Sequence, residues 1–164
     1  RLRIPSLVLG LLLGLFLSFI TSKFETVLAQ NINIAFFIPL VVYLADAVGT
    51  QTQNVYARHL KTGEKDFRIY FVKESVLGMI LGLLFSLLAG VVVMMWFGSL
   101  ELTLAVSLGI FCAVLSAPPI SLIITEVLQL EREDPAVWAG PLATVIQDAV
   151  SILIYGLIAS AILL

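Results

Sequence analysis

Near the middle of the last apolar stretch, Pro141–Leu164, stands a carboxylate, Asp148, with no Lys, Arg or His beside it in that stretch. An acid at mid-bilayer depth costs about 2.5–3.5 kcal/mol on insertion scales, so such residues mark ion paths, proton relays or ligand sites. Thr144, Asp148, Ser151 and Tyr155 fall at steps of four, three and four, and so form one polar stripe on an otherwise apolar helix. A carboxylate with hydroxyls a turn away on each side can accept hydrogen bonds from the water around a cation. The plainer alternative is a protonated Asp148 hydrogen-bonded to a neighbouring helix.

A second acid follows the same logic. The run Asp46-Ala47-Val48-Gly49-Thr50-Gln51-Thr52-Gln53-Asn54 is the densest polar segment inside an apolar window, and Asp46, Thr50 and Gln53 share a helix face. Interhelical hydrogen bonding, worth about 0.6 kcal/mol per contact in membrane proteins, accounts for Thr52, Gln53 and Asn54. It accounts less well for Asp46, because no base stands deep in any apolar window to pair with it. Glu74 lies near the start of another window beside Lys73, where a structural pairing and a place at a pore mouth are both open. Glu126, Glu131, Glu133 and Asp134 gather near the adjoining ends of two windows. Asp134-Pro135 is also a helix-start signal, and capping and an acidic vestibule are compatible roles for it.

The elements that must position these groups are membrane helices. Of 164 residues 60% are hydrophobic and 12% charged, with a mean hydropathy of +1.10, which no water-exposed fold could accommodate. Windows of about 20 apolar residues, enough to cross a bilayer, recur near Ile4–Thr21, Ile34–Tyr56, Tyr70–Phe97, Leu102–Val127 and Val137–Leu164. Arg1 and Arg3 before the first window resemble a leader, but no small-residue cleavage site follows, so it is read as a retained span. Eight of the nine Lys and Arg residues fall before the first window, between the second and third with Lys73 at the near edge of the third, or between the fourth and fifth; Lys23 is the exception. Five crossings place all eight on one side, with the amino terminus cytoplasmic and the carboxyl terminus external. The chain opens on Arg1 and closes on Ile162-Leu163-Leu164, and reads as a fragment lacking any soluble domain of its parent.

Other features are read as packing. Gly78, Gly82, Ser86 and Gly90 at four-residue spacing, and Gly10, Gly14 and Ser18, are small-residue stripes for close helix contact, within the chain or between copies. Pro118-Pro119 removes two amide donors and frees carbonyls near Val114 and Leu115, for a cation path or for a packing kink. The single cysteine, Cys112, offers neither a disulfide nor a thiolate metal site within one chain. No nucleophile–base set, His pair or phosphate loop is present, so an enzyme is not expected, nor is a cofactor or a nucleic-acid partner. The ligands on offer are oxygens, which favour hard divalent cations such as magnesium, calcium or manganese over copper or zinc.

Taken in order, Gly49-Thr50-Gln51-Thr52, Glu74 with Gly78 and Gly82, Asp134-Pro135-Ala136, Gly140-Pro141, Asp148 and the closing Ile152-Leu153-Ile154-Tyr155 resemble the membrane domain of MgtE-type magnesium transporters. The resemblance covers essentially residues 1–164. It implies an all-α integral membrane protein of five transmembrane helices per subunit, with a cation pore at a homodimer interface lined by the second and fifth spans. Asp148 would match the family's central pore aspartate, and Asp134 its acidic residue near the cytoplasmic end of the fifth span. The expected metal-contacting set is Asp148, Asp46, Asp134, Thr50, Thr144, Ser151 and Glu74, with a divalent cation, magnesium foremost, as transported ligand. Where the family commonly has Gly-Asn, this chain has Asp46-Ala47, a carboxylate gained and an amide lost, which bears on ion preference. The rival expectation is a proton-coupled carrier for another solute, with Asp148 as its proton site.

Overall fold

The computed structural model describes residues 3–62, 66–130 and 135–164. Six helices follow one another: α1 (Arg3–Ser22), α2 (Glu25–Gln30), α3 (Asn33–Thr62), α4 (Phe67–Phe97), α5 (Leu100–Leu130) and α6 (Pro135–Leu163). Four of them contain stretches long and apolar enough to cross a bilayer: Asn33–Leu60, Phe67–Phe97, Leu100–Val127 and Ala143–Leu163. Among the described residues α1 adds a shorter apolar segment, Gly10–Ser22. The chain is therefore an all-α membrane protein; among the described residues four helices are of spanning length, and α1 lies on the first of the five apolar windows. The short helix α2 lies between the first two apolar windows, Ile4–Thr21 and Ile34–Tyr56.

Local chemistry sets several of the boundaries. Asp66 caps α4 by accepting from the Arg68 and Ile69 amides at 3.1 and 3.3 Å. Gly98 ends α4 in the left-handed region, φ 64°, and its N–H returns to the Met94 carbonyl. Ser99 Oγ then accepts the Leu102 amide at 3.2 Å and starts α5. Two residues thus join α4 to α5 as an antiparallel hairpin. Asp134, with the cap expected of it, lies outside the described residues, and α6 begins at Pro135.

Helix α5 is the centre of the bundle, with α3, α4 and α6 packed around it and α1 against α6. Ala105, Val106, Ile110, Ala113, Val114, Ala117 and Leu122 of α5 are wholly buried. On α4 the buried face is the small-residue stripe itself, Gly78, Gly82, Ser86 and Gly90. Its partner is α5, so this stripe serves contact within the chain. A Cβ on Gly82 would stand 3.0 Å from the Phe111 carbonyl oxygen, and one on Gly78 would stand 2.8 Å from Pro118 Cγ. The Val114 carbonyl, which Pro118 deprives of its helical donor, lies against Gly78 at 3.4 Å from that same Cβ position. Pro118 is therefore a packing piece between α5 and α4, and the carbonyl it frees faces a helix contact. The outward faces of α1 and α4, including Leu11, Phe16, Leu83, Leu87, Val91 and Met95, are exposed and apolar, as a lipid-facing surface must be.

The stripe gives a direct stability test. Gly82→Leu must push α4 off the rigid Phe111 backbone, whereas a side chain at Gly10 of α1 meets nothing within 4 Å. Overpacking of this kind costs about 1–3 kcal/mol. Thermal unfolding in detergent should drop clearly for Gly82→Leu and hardly at all for Gly10→Leu. Equal effects would mean that α4 and α5 are not in the contact described.

Candidate cation pathway

On helix α3 the exposed positions from Thr50 to Asn54 are polar. Val41, Ala45, Val48, Gly49, Thr52 and Tyr56 are buried, while Thr50, Gln51 and Asn54 are exposed and Asp46 is half-buried. In a bilayer, exposed amides and hydroxyls so close along one helix would find no hydrogen-bond partners in lipid. That side of α3 must meet water or other protein.

Helix α6 carries the second half of the site. Asp148 and Thr144 are half-buried. Asp148 lies near enough to Asp46 for the two carboxylates to act on each other as like charges across the contact between α3 and α6. These two acids, far apart in sequence, are thus brought together. The rest of the expected α6 stripe is engaged inside the chain. Ser151 is fully buried; its hydroxyl donates to the Gln147 carbonyl at 2.8 Å and accepts from Gln147 Nε2 at 3.3 Å. Tyr155 is also buried, its ring lying on Gly109 and its hydroxyl donating to the Ile34 carbonyl at 3.0 Å. That bond fixes α6 against the start of α3. The stripe is open at Thr144 and Asp148 and closed at Ser151 and Tyr155.

Glu74 is not gathered with Asp46 and Asp148. Its Oε2 accepts from Thr52 Oγ1 at 2.8 Å, on the buried face of α3. Glu126, expected in an acidic vestibule, likewise accepts from Tyr56 Oη at 2.7 Å. The vestibule's other acids, Glu131, Glu133 and Asp134, lie outside the described residues. Sequence spacing does not single out Gln147, which is 2% exposed beside Asp148 and whose Oε1 has no hydrogen-bond partner among the described residues. A buried glutamine adjoining an intramembrane acid is the signal that would have marked it.

Among the described residues no three His, Cys, Asp or Glu side chains gather as a metal-holding group. One chain therefore offers a pair of carboxylates with neighbouring hydroxyls and amides, a set suited to gripping the water of a hydrated ion rather than to stripping it.

The sequence model of the MgtE family, described as a divalent cation transporter, matches residues 38–158. Among curated proteins, the magnesium transporter MgtE of Bacillus subtilis is 34% identical over 163 residues, which cover 97% of this chain and 36% of the relative. The magnesium transporter MgtE of Enterococcus faecalis is 32% identical over 161 residues, 96% of this chain and 36% of its own length. That of Thermus thermophilus is 31% identical over 157 residues, 93% of this chain and 34% of its own length. The chain thus spans about a third of the length of the curated relatives it matches.

Proposed function

Because this chain belongs to the MgtE family of divalent cation transporters, we propose that it carries divalent cations, magnesium foremost, across a membrane through a path lined by α3 and α6 of two copies. The observation that carries the reading is that Asp46 and Asp148, on helices that leave Thr50, Gln51 and Asn54 exposed, lie near enough to act on each other as like charges. Two like charges held together inside a bilayer are costly unless a cation or a wet cavity offsets them. In a single copy Thr50, Gln51 and Asn54 stay exposed on that face of α3. A second copy related by a two-fold axis would cover that face and bring four carboxylates to one depth.

Magnesium requires near-octahedral oxygen coordination and dehydrates reluctantly, so carboxylates, hydroxyls and amides that accept from its water shell suit it. The candidate contacts are Asp148, Asp46, Thr50 and Thr144, with Asp134 on the connection before α6. Ser151 supports α6 from within, and Glu74 acts from behind α3. Magnesium transport is what the printed names of the relatives assign to those proteins. In this reading α1 is the first of five spans and the basic segment Arg58–Lys73 is cytoplasmic. Labelling of a cysteine placed in that segment, from each side of the membrane, reads the orientation directly. The proposal is one of transport and not catalysis, in keeping with the family.

The test of the function is flux. Protein reconstituted in liposomes should admit magnesium, and manganese or calcium in some order, with zinc and copper disfavoured by the all-oxygen lining. A proton current without divalent flux would instead favour a proton-coupled carrier working through Asp148.

A further inference from the structure

Glu74 of α4 and Glu126 of α5 are carboxylates inside largely apolar helices, and the groups they bind are hydroxyls of α3. Thr52 Oγ1 donates to Glu74 Oε2 at 2.8 Å, and Tyr56 Oη donates to Glu126 Oε2 at 2.7 Å. Thr52 and Tyr56 are 3% and 1% exposed and stand one turn apart. At 3.6 residues per turn they lie about 120–160° around α3 from the exposed Thr50 and Asn54. Both bonds therefore hold one stretch of α3 from the side opposite its polar stripe. The Tyr56 ring is itself fixed between Phe67 and Tyr70, at centroid distances of 6.2 and 5.4 Å.

The same stretch begins at a close approach of α3 to α5. A Cβ on Gly49 would stand 2.7 Å from Ser121 Oγ, so the α3 backbone is seated against α5 one residue before Thr50. Beyond Gly49 the side-chain attachments of α3 to both α4 and α5 include these two charge-assisted hydrogen bonds. Bonds to a carboxylate are stronger than neutral ones. An acid is an expensive way to make a helix contact in a bilayer. Two of them acting on one segment argue for a role that a leucine could not fill.

We propose that Glu74 and Glu126 are positioning residues of the pathway: through Thr52 and Tyr56 they hold α3 beyond Gly49 back against α4 and α5, and so set how far Thr50, Gln51 and Asn54 project into the ion path. The proposal rests on the α3-lined path proposed above. It assigns different work to the two pairs of acids. Asp46 and Asp148 meet the cation, whereas Glu74 and Glu126 hold the wall. Loosening the wall lets the polar stripe lean inward and narrow the path, which lowers the maximal rate and leaves the cation's hold on Asp46 and Asp148 unchanged.

The experiment compares magnesium uptake into liposomes by the parent protein, Thr52→Ser, Thr52→Val, Tyr56→Phe and the double variant Thr52→Val/Tyr56→Phe. Maximal uptake should fall about fivefold in the double variant, with the half-saturating magnesium concentration within about twofold of the parent, the pattern of a change that leaves ground-state binding intact. Thr52→Ser retains the donor and should transport like the parent, while each single loss variant should fall between the extremes. Thermal unfolding in detergent identifies any variant that does not fold; if the double variant fails, the two singles against Thr52→Ser decide the matter. Unchanged maximal uptake in the loss variants overturns the proposal, as does a change confined to the half-saturating concentration. Asp148→Asn is measured in the same vesicles. Normal uptake there removes the pathway itself; collapse there, with normal uptake in the loss variants, removes the positioning role alone.

Discussion

Asp148→Asn is expected to reduce magnesium flux by roughly 100-fold, the equivalent of about 2.7 kcal/mol, while expression and fold survive. The amide keeps the shape and some hydrogen bonding of the carboxylate, so packing between α3 and α6 is disturbed little. What it removes is the negative charge that Asp148 can present near Asp46. In a two-copy pathway the change removes two such charges at one level, where a doubly charged ion depends on them most. Stability should stay level or rise, because the repulsion between Asp46 and Asp148 disappears and a costly intramembrane charge goes with it. The proton-carrier alternative predicts another pattern: divalent selectivity is irrelevant, and what vanishes is pH-dependent coupling. Flux of the variant at several external pH values separates the two. Undiminished magnesium flux at all of them would refute a role for Asp148 as the central cation contact.

What the sequence shows well is whatever depends on local periodicity. Apolar length is enough to place α3, α4, α5 and α6, since a helix that spans lipid has few alternatives. The stripe Gly78–Gly82–Ser86–Gly90 is also legible, because small residues at four-residue spacing have a single geometric consequence. Its partner is not. Nothing local says that Gly82 meets the Phe111 backbone of α5 and not a second copy of α4. The same limit governs the site. Spacing puts Thr144, Asp148, Ser151 and Tyr155 on one face of α6, yet Ser151 and Tyr155 are occupied by Gln147 and Ile34 inside the chain. A helix face is a property of sequence; what the face meets is a property of packing. Glu74 and Glu126 show this most clearly, since their donors Thr52 and Tyr56 stand 22 and 70 residues away. Helix α2 escapes the reading for a different reason. Six residues are less than two turns and carry no period to detect.

The central claim is that the Thr50 side of α3 faces a water-filled ion path and not lipid. Cysteine chemistry tests it directly, because a thiol must ionise in water to react quickly and stays inert against hydrocarbon. With Cys112 replaced by Ala, Thr50→Cys is compared with Leu84→Cys, a position exposed on the apolar outer face of α4. In reconstituted vesicles a small cationic thiol reagent should modify Thr50→Cys, block its magnesium flux, and do so more slowly when magnesium is abundant; Leu84→Cys should resist modification. A Thr50→Cys protein no more reactive than Leu84→Cys, or one modified fully without loss of flux, would contradict the pathway.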